Sequence, residues 1–136
     1  MTSETTTIAI NTLSQAVDVR VQVTYLAQQS RPEDQHFVYG YTITISNTLD
    51  DVTVQLLDRH WLISDGENII KEVNGPGVVG EQPFIGPHAS YTYSSGVVMA
   101  VNAGSMKGRY GMQSANGELF DVIIPEFALV PPNKLH

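Results

Sequence analysis

The chain contains no cysteine among its 136 residues. This absence excludes disulfide bonds, thiol nucleophiles and the zinc sites that use thiolate ligands. Basic residues are scarce as well: seven Lys and Arg face fourteen Asp and Glu, which gives a net charge of −7. Such a chain has no general positive field to attract a phosphate backbone, so we do not expect a nucleic-acid partner.

Long apolar runs are also missing. The longest contain four or five residues, as in 96–100, whereas a membrane-spanning helix needs about 20. The first fifteen residues are rich in Thr and include Glu4 but no Lys or Arg, unlike the basic start of a secretory signal. We therefore expect no membrane span and a cytoplasmic location.

What the chain does contain is a series of short alternating segments. In residues 17–25, five apolar residues alternate strictly with polar ones, a period of two that predicts a β-strand with one wet face. A polar turn leads to a second alternating run, and the two together predict an antiparallel pair. Further strands are predicted at 52–63, 69–73, 91–101, 105–113 and 118–124.

The connections between these strands are also recognisable. The apolar phase changes near Leu56 and Leu57, which predicts a β-bulge or a strand that switches sheets. The Asn116-Gly117 pair predicts a hairpin turn. Residues 74–88 hold four glycines and three prolines, a composition that argues against any regular element and indicates an ordered surface loop.

About seven short strands without a helical period predict a single all-β domain over 1–136, an antiparallel β-sandwich with Greek-key links. We expect residues 1–14 to form a flexible N-terminal arm. Prolines at 125, 131 and 132 predict an extended C-terminal tail over 125–136.

Four blocks of this sequence are distinctive: the strand-turn-strand of 25–44, Leu-Asp-Arg-His-Trp at 57–61, Gly-Pro-Gly-Val-Val-Gly-Glu-Gln-Pro at 75–83, and Tyr-Ser-Ser-Gly at 93–96. In order and spacing they resemble the ApaG family, also called CorD, over about 17–131. The resemblance implies a fibronectin type III-like, or immunoglobulin-like, sandwich. It further implies a link to cobalt resistance and magnesium efflux, hence to divalent-cation homeostasis, without an established enzyme activity.

The glycine loop matches the Gly-x-Gly-x-x-Gly pattern of dinucleotide-binding folds through Gly75, Gly77 and Gly80. That pattern binds a pyrophosphate only when it lies between a strand and a helix, and Pro83 and Pro87 leave no room for a helix. Two interpretations stay open. The loop N–H groups could form a nest for phosphate or pyrophosphate, or the glycines could serve turn geometry alone.

Strand alternation places Arg59 and Trp61 on one face and Asp58 and His60 on the other. We expect Trp61 to fill the core. Arg59 or His60 could instead flank the glycine loop and contact an anion, because a guanidinium binds phosphate in bidentate fashion.

Catalytic and metal-binding patterns are not found. No serine lies in a Gly-x-Ser-x-Gly elbow, and the carboxylates cluster around predicted turns. The histidines at 36, 60, 88 and 136 are too far apart in sequence for a paired ligand motif; His88 is expected in an exposed turn. We expect no catalytic site, no metal and no cofactor.

The leading interpretation is a protein-interaction module with an unidentified protein partner. Exposed tyrosines among Tyr39, Tyr41, Tyr91 and Tyr93, or an unpaired sheet edge, would provide its surface, although core burial is the alternative for these rings. An edge strand would also permit a homodimer. The alternative function is a small-anion sensor that uses residues 75–80, with Arg59 and His60.

Overall fold

The computed structural model of the chain describes residues 12–132. Residues 12–16 are helical, and two single-turn 3₁₀ helices, Ala27–Gln29 and Pro32–Asp34, lie between the first two strands. The remaining elements are eight strands: β1 (Val17–Tyr25), β2 (Phe37–Asn47), β3 (Val54–Ser64), β4 (Ile69–Pro76), β5 (Phe84–Ile85), β6 (Ser90–Met99), β7 (Gly104–Ser114) and β8 (Leu119–Leu129). None of the helices in this part of the chain is long and apolar enough to cross a membrane.

The strands form two sheets in which every pairing is antiparallel. One sheet has the order β1-β2-β6; the other has the order β4-β3-β7-β8, with β5 paired to β3 beyond the end of β4. This arrangement confirms the predicted fibronectin type III-like sandwich, with eight strands instead of about seven. The edge strands are β1 and β6 in the smaller sheet and β4 and β8 in the larger one.

Side-chain alternation accounts for the core. Every second residue of β2 is buried, from Phe37 to Asn47, which makes the inner face of the smaller sheet almost continuous hydrocarbon. Trp61 packs against this face from the other sheet. Its ring makes edge-to-face contacts with Tyr41 and Phe127, at 5.7 and 5.9 Å between ring centroids. The prediction that Trp61 fills the core is confirmed.

The predicted phase change in β3 is a β-bulge. Pairing with β7 shifts between Leu56 and Asp58, so Leu57 is the extra residue. Before the bulge Val54 and Leu56 face the core; after it, Trp61 and Ile63 do. One inserted residue thus keeps apolar side chains inside on both halves of the strand.

Two predictions that took prolines as the ends of strands are wrong: the irregular loop over 74–88 and the tail that starts at Pro125. Strand β4 continues through Pro76, and β5 adds a further pair, so 74–88 is not free of regular structure. The tail predicted from Pro125 begins later, since β8 continues to Leu129. Register with β7 shifts opposite Lys107, and this irregularity accommodates a residue that lacks an N–H donor.

The N-terminal arm predicted over 1–14 lies mainly outside the described residues, as does the chain after 132. Within the described part, Leu13 is buried in the core, so the last residues of that predicted arm pack onto the sandwich.

Of the two interpretations considered for the tyrosines, exposure or core burial, core burial is confirmed for three of the four. Tyr39, Tyr41 and Tyr93 are buried, and Tyr91 is half-buried. Their register explains this: β6 pairs Tyr93 with Ile43 and Val97 with Tyr39, so the inward-pointing residues of both strands are large, apart from Ser95 opposite Tyr41.

Candidate functional site

The glycine loop is docked onto the bulge of β3. The carbonyl of Leu57 accepts hydrogen bonds from the backbone N–H of Gly77 and from the side-chain amide of Gln82, both at 2.8 Å. Next to the bulge, the N–H of Leu56 donates to the carbonyl of Pro83 at 3.0 Å. Val78 is fully buried in the core. These contacts explain why a segment so rich in glycine and proline is ordered.

The loop reverses direction in a tight turn. Val78 and Glu81 exchange both backbone hydrogen bonds, at 2.8 and 2.9 Å. The two residues between them, Val79 and Gly80, have φ angles of 43° and 82°, the double positive φ of a type I′ turn. At Gly77, with φ of 61°, a Cβ atom would lie 2.3 Å from the carbonyl oxygen of Glu81.

These bonds restrict what the loop can bind. The N–H groups of Gly77, Val78 and Glu81 are all used inside the protein, whereas an anion nest needs successive free N–H groups. Turn geometry therefore accounts for Gly77 and Gly80 without a ligand.

Arg59 lies against this loop, as one sequence hypothesis required. Its Nη1 donates to the carbonyls of Pro76 and Gly77 at 3.0 and 2.9 Å. Gly75 faces it in the neighbouring strand. Within residues 12–132 the guanidinium has no carboxylate partner, so its other nitrogens are available to an anion. The structure thus brings Arg59, Gly75 and Gly77 together.

His60 is not part of this group. It lies on the outer face of the sheet, where its Nε2 is 2.5 Å from a carboxylate oxygen of Glu72. Alternation along β3 directs its side chain away from the face that carries Arg59. The carboxylate of Glu72 would also repel an anionic ligand at this position.

A cavity of about 620 Å³ opens beside Arg59, along the side of the sandwich where β4 and β6 form the sheet edges. Its lining includes Lys71 and Ser95, which sequence reasoning did not single out as site residues, and Tyr39, which it considered only as an interaction surface or a core residue. Lys71 faces the cavity because β4 pairs it with the buried Ile63, so it alternates with Val73 on the inward side of its strand; the local sequence does not reveal this register.

Three buried tyrosines surround the core side of this region. The hydroxyls of Tyr93 and Tyr110 are 2.5 Å apart, and burial raises the pKa of both. At Tyr93 the hydrogen bond with Tyr110 and, to a smaller extent, the nearby charge of Arg59 partly offset this rise in pKa. Burial also raises the pKa of Tyr39 to about 12. Its hydroxyl is the one buried side-chain polar atom without a hydrogen-bond partner in the described part of the chain.

Metal ligands do not converge in the structure. Within residues 12–132 there is no group of three His, Asp or Glu side chains that could hold a metal ion. His88 lies in an exposed turn, as expected, with φ of 58° and its Nε2 2.7 Å from Asp50. His136 is outside the described residues.

The outer face of the larger sheet carries exposed apolar side chains that sequence reasoning missed. Phe84 is 72% exposed, Ile123 70% and Leu119 63%. Register places Phe84 and Leu119 in one row across four strands, with Gln55 and Gln113 between them. The sequence of β8 has apolar residues on both faces, and it does not indicate which of the two faces the core covers.

Comparisons with known proteins agree with this architecture. Residues 27–114 match the family model described as the ApaG domain. Proteins named ApaG from Pseudomonas paraeruginosa and Pseudomonas aeruginosa are each 51% identical over 120 residues, covering 88% of this chain and 94% of theirs. The corresponding protein of Pseudomonas fluorescens is 49% identical over the same length. Their names state no enzymatic activity.

Solved structures extend the likeness. The X-ray structure of a structural-genomics target superposes with a TM-score of 0.84 at 44% identity, covering 91% of this chain and 93% of that one. A crystal structure described as an ApaA protein from Bordetella pertussis gives 0.81 at 40% identity, with coverages of 85% and 94%. A protein from Archaeoglobus fulgidus, at 9% identity and 0.51, shares the fold alone.

Proposed function

This chain belongs to the ApaG family, and from that premise we propose that it is a non-catalytic binding module that acts through contacts with a protein partner. The described side chains support this proposal because they include no group of three His, Asp or Glu that could hold a catalytic metal ion. A binding module needs instead an exposed surface of suitable chemistry.

One observation carries the proposal: the outer face of the larger sheet exposes Phe84, Leu119 and Ile123. We call these three residues the outer apolar surface. Beside Ile123 a hollow of about 330 Å³ is lined by Leu62 and Pro125, among others. Gln55 and Gln113 lie between Phe84 and Leu119, and Asp121, which pairs with Arg109, lies between Leu119 and Ile123 on β8. A non-obligate protein interface mixes apolar and polar groups, since as a whole it is about as apolar as the rest of a protein surface.

The proposal includes a biological setting that rests on the family resemblance. We assign the module to divalent-cation homeostasis in the cytoplasm, with protein contacts and not metal binding as its mode of action. The expectation that it has neither a cofactor nor a nucleic-acid partner belongs to the same proposal; the net charge of −7 supports the second part.

Affinity capture from the native cell tests this function. The parent chain is compared with Ile123→Ser and Leu119→Ser, and with the control Val98→Ser, which alters an exposed apolar residue of the other sheet. We expect one protein to be captured by the parent and the control and lost with both outer-surface variants. Loss with Val98→Ser alone would assign the contact to the β6 edge and contradict the proposed surface, and light scattering would show whether the partner is a second copy.

A second candidate is a phosphate or pyrophosphate sensor built on Arg59 and the glycine loop. The observation in its favour is a guanidinium held in place by two loop carbonyls and without a carboxylate partner among residues 12–132. The internal use of the N–H groups of Gly77, Val78 and Glu81 weighs against it. Calorimetry with pyrophosphate on the parent, on Arg59→Ala and on the control Arg109→Ala tests it; no heat with the parent would end this proposal.

A further inference from the structure

The sandwich is open between its edge strands β4 and β6. Positions on these strands that face the opposite sheet carry small or polar residues where a closed sandwich has large apolar ones: Lys71 and Gly75 on β4, and Ser95 on β6. Ser95 is exposed although its neighbours in phase, Tyr93 and Val97, are covered. The cavity of about 620 Å³ is the result.

The charge of this cavity is opposite to that of the protein. Its charged lining residues are Arg59 and Lys71, in a chain where acidic residues outnumber basic ones two to one. Neither has a carboxylate partner in the described part of the chain, whereas Arg20, Arg31 and Arg109 do. Two unpaired cations beside a low-dielectric wall favour an anionic ligand.

The rest of the lining is mostly apolar and aromatic, with Gln29 and Ser95 as its uncharged polar side chains other than tyrosines. Trp61, Tyr41 and Tyr93 contribute rings, and Val73 and Met106 contribute aliphatic surface. Tyr39 also lines the cavity, and its fully buried hydroxyl lacks a hydrogen-bond partner among residues 12–132. An unsatisfied buried hydroxyl is costly.

We propose that this inter-sheet cavity binds a small organic anion: a molecule with an apolar body of one ring or a short acyl chain and a single acidic group. The body contacts Trp61 and Tyr93, and the acidic group lies at the mouth between Arg59 and Lys71. The volume falls within the range of small-molecule sites in proteins, about 300–1,000 Å³.

This site is distinct from the outer apolar surface, and it goes beyond the proposed protein contact. It shares Arg59 with the phosphate hypothesis but differs from it in chemistry, because inorganic phosphate and pyrophosphate have no apolar body to occupy the aromatic lining. The two can therefore be separated by the choice of probe.

The chain provides its own reporter, since Trp61 is its single tryptophan and lines the cavity. The probes are phenylpropionate, phenylpropanol and phenylpropylammonium, which share one body and differ in charge. We expect phenylpropionate to change Trp61 fluorescence saturably, with a Kd on the order of 1 mM or below. The alcohol should bind about tenfold more weakly, and the ammonium more weakly still. Pyrophosphate should not compete at equal concentration.

Variants locate the site. Lys71→Gln changes an exposed side chain and is expected to weaken phenylpropionate binding by about tenfold without loss of folding. Arg59→Gln should do the same, and Lys107→Gln, on the outer face, is the matched control and should bind as the parent does.

The proposal is overturned if Trp61 fluorescence shows no saturable change with phenylpropionate, if the three probes bind with equal affinity, or if Lys107→Gln weakens binding as much as Lys71→Gln does. Binding of pyrophosphate without any binding of phenylpropionate would also overturn it, in favour of the phosphate sensor.

Discussion

The guanidinium of Arg59 lies across Gly75 of the neighbouring strand, where an added Cβ atom would stand 3.0 Å from Nη1. The absence of a side chain at Gly75 allows Arg59 to reach the carbonyls of Pro76 and Gly77. Arg59 is thereby fixed both to the glycine loop and at the mouth of the inter-sheet cavity. The first glycine of the loop pattern, Gly75, therefore leaves the space that the Arg59 side chain occupies.

The first prediction concerns that contact. Gly75→Ala should displace the guanidinium and cost about 1 kcal/mol of folding free energy, the net value of the hydrogen bonds lost. The same change in an Arg59→Ala background should cost much less, because the obstructed group is gone. Urea denaturation of the four proteins of this double-mutant cycle measures the coupling; equal costs in both backgrounds would show that the two residues do not interact.

The second prediction concerns alkaline pH. Burial raises the pKa of Tyr39, Tyr93 and Tyr110 above the usual value near 10. The unfolded chain releases these protons at lower pH than the folded chain does. Stability contributed by these groups is therefore complete below pH of about 10 and falls as pH rises beyond it.

Ultraviolet absorbance of phenolate checks this sign. Of the six tyrosines, these three should ionise only together with the unfolding seen by circular dichroism. Titration of all six before any loss of β-structure would contradict their burial.

The third prediction concerns the close approach of β3 and β7. A Cβ atom on Gly108 would lie 2.0 Å from the carbonyl oxygen of His60, so the two backbones must separate to admit a side chain. We expect Gly108→Ala to cost about 3 kcal/mol or to prevent folding. Gly86→Ala is the control, since nothing lies within 4 Å of its Cβ position. Thermal unfolding compares the two, and similar melting temperatures would refute the clash.

The fourth prediction concerns a polar residue at the end of the core. Asn47 is buried, and its side-chain amide donates to the carbonyls of Val52 and Ile85 at 2.8 and 3.0 Å while its oxygen accepts from the N–H of Leu49. Replacement by Leu should leave these groups unsatisfied and cost about 2–4 kcal/mol. Urea denaturation measures it, with Asn74→Leu on the exposed edge strand as a control that should change stability little.

Much of the fold was predictable because its strands obey a period of two. The bounds of β1 followed from strict alternation in 17–25, and the bulge at Leu57 followed from a change of phase. Prolines misled the prediction at Pro76 and Pro125, because an edge strand and a β-bulge tolerate a residue without an N–H. Local composition does not reveal whether a given strand is an edge.

The candidate sites were less predictable because they depend on register between distant strands. Sequence reasoning brought Arg59 to the glycine loop, but the pairing of Lys71 with Ile63 and of Ser95 with Tyr41 arises only from the assembled sheets. In the same way, a strand was predicted at 118–124, but not that Leu119 and Ile123 would lie on its uncovered face.

The central claim is that the outer apolar surface is where this module binds its partner. Hydrogen-deuterium exchange of the chain with and without the captured partner tests it most directly. The account predicts slower exchange in β5 and in β8 around 119–123, with β1 and β2 unchanged. Slower exchange confined to β6, or to the loop at 77–83, with β8 unaffected, would contradict it.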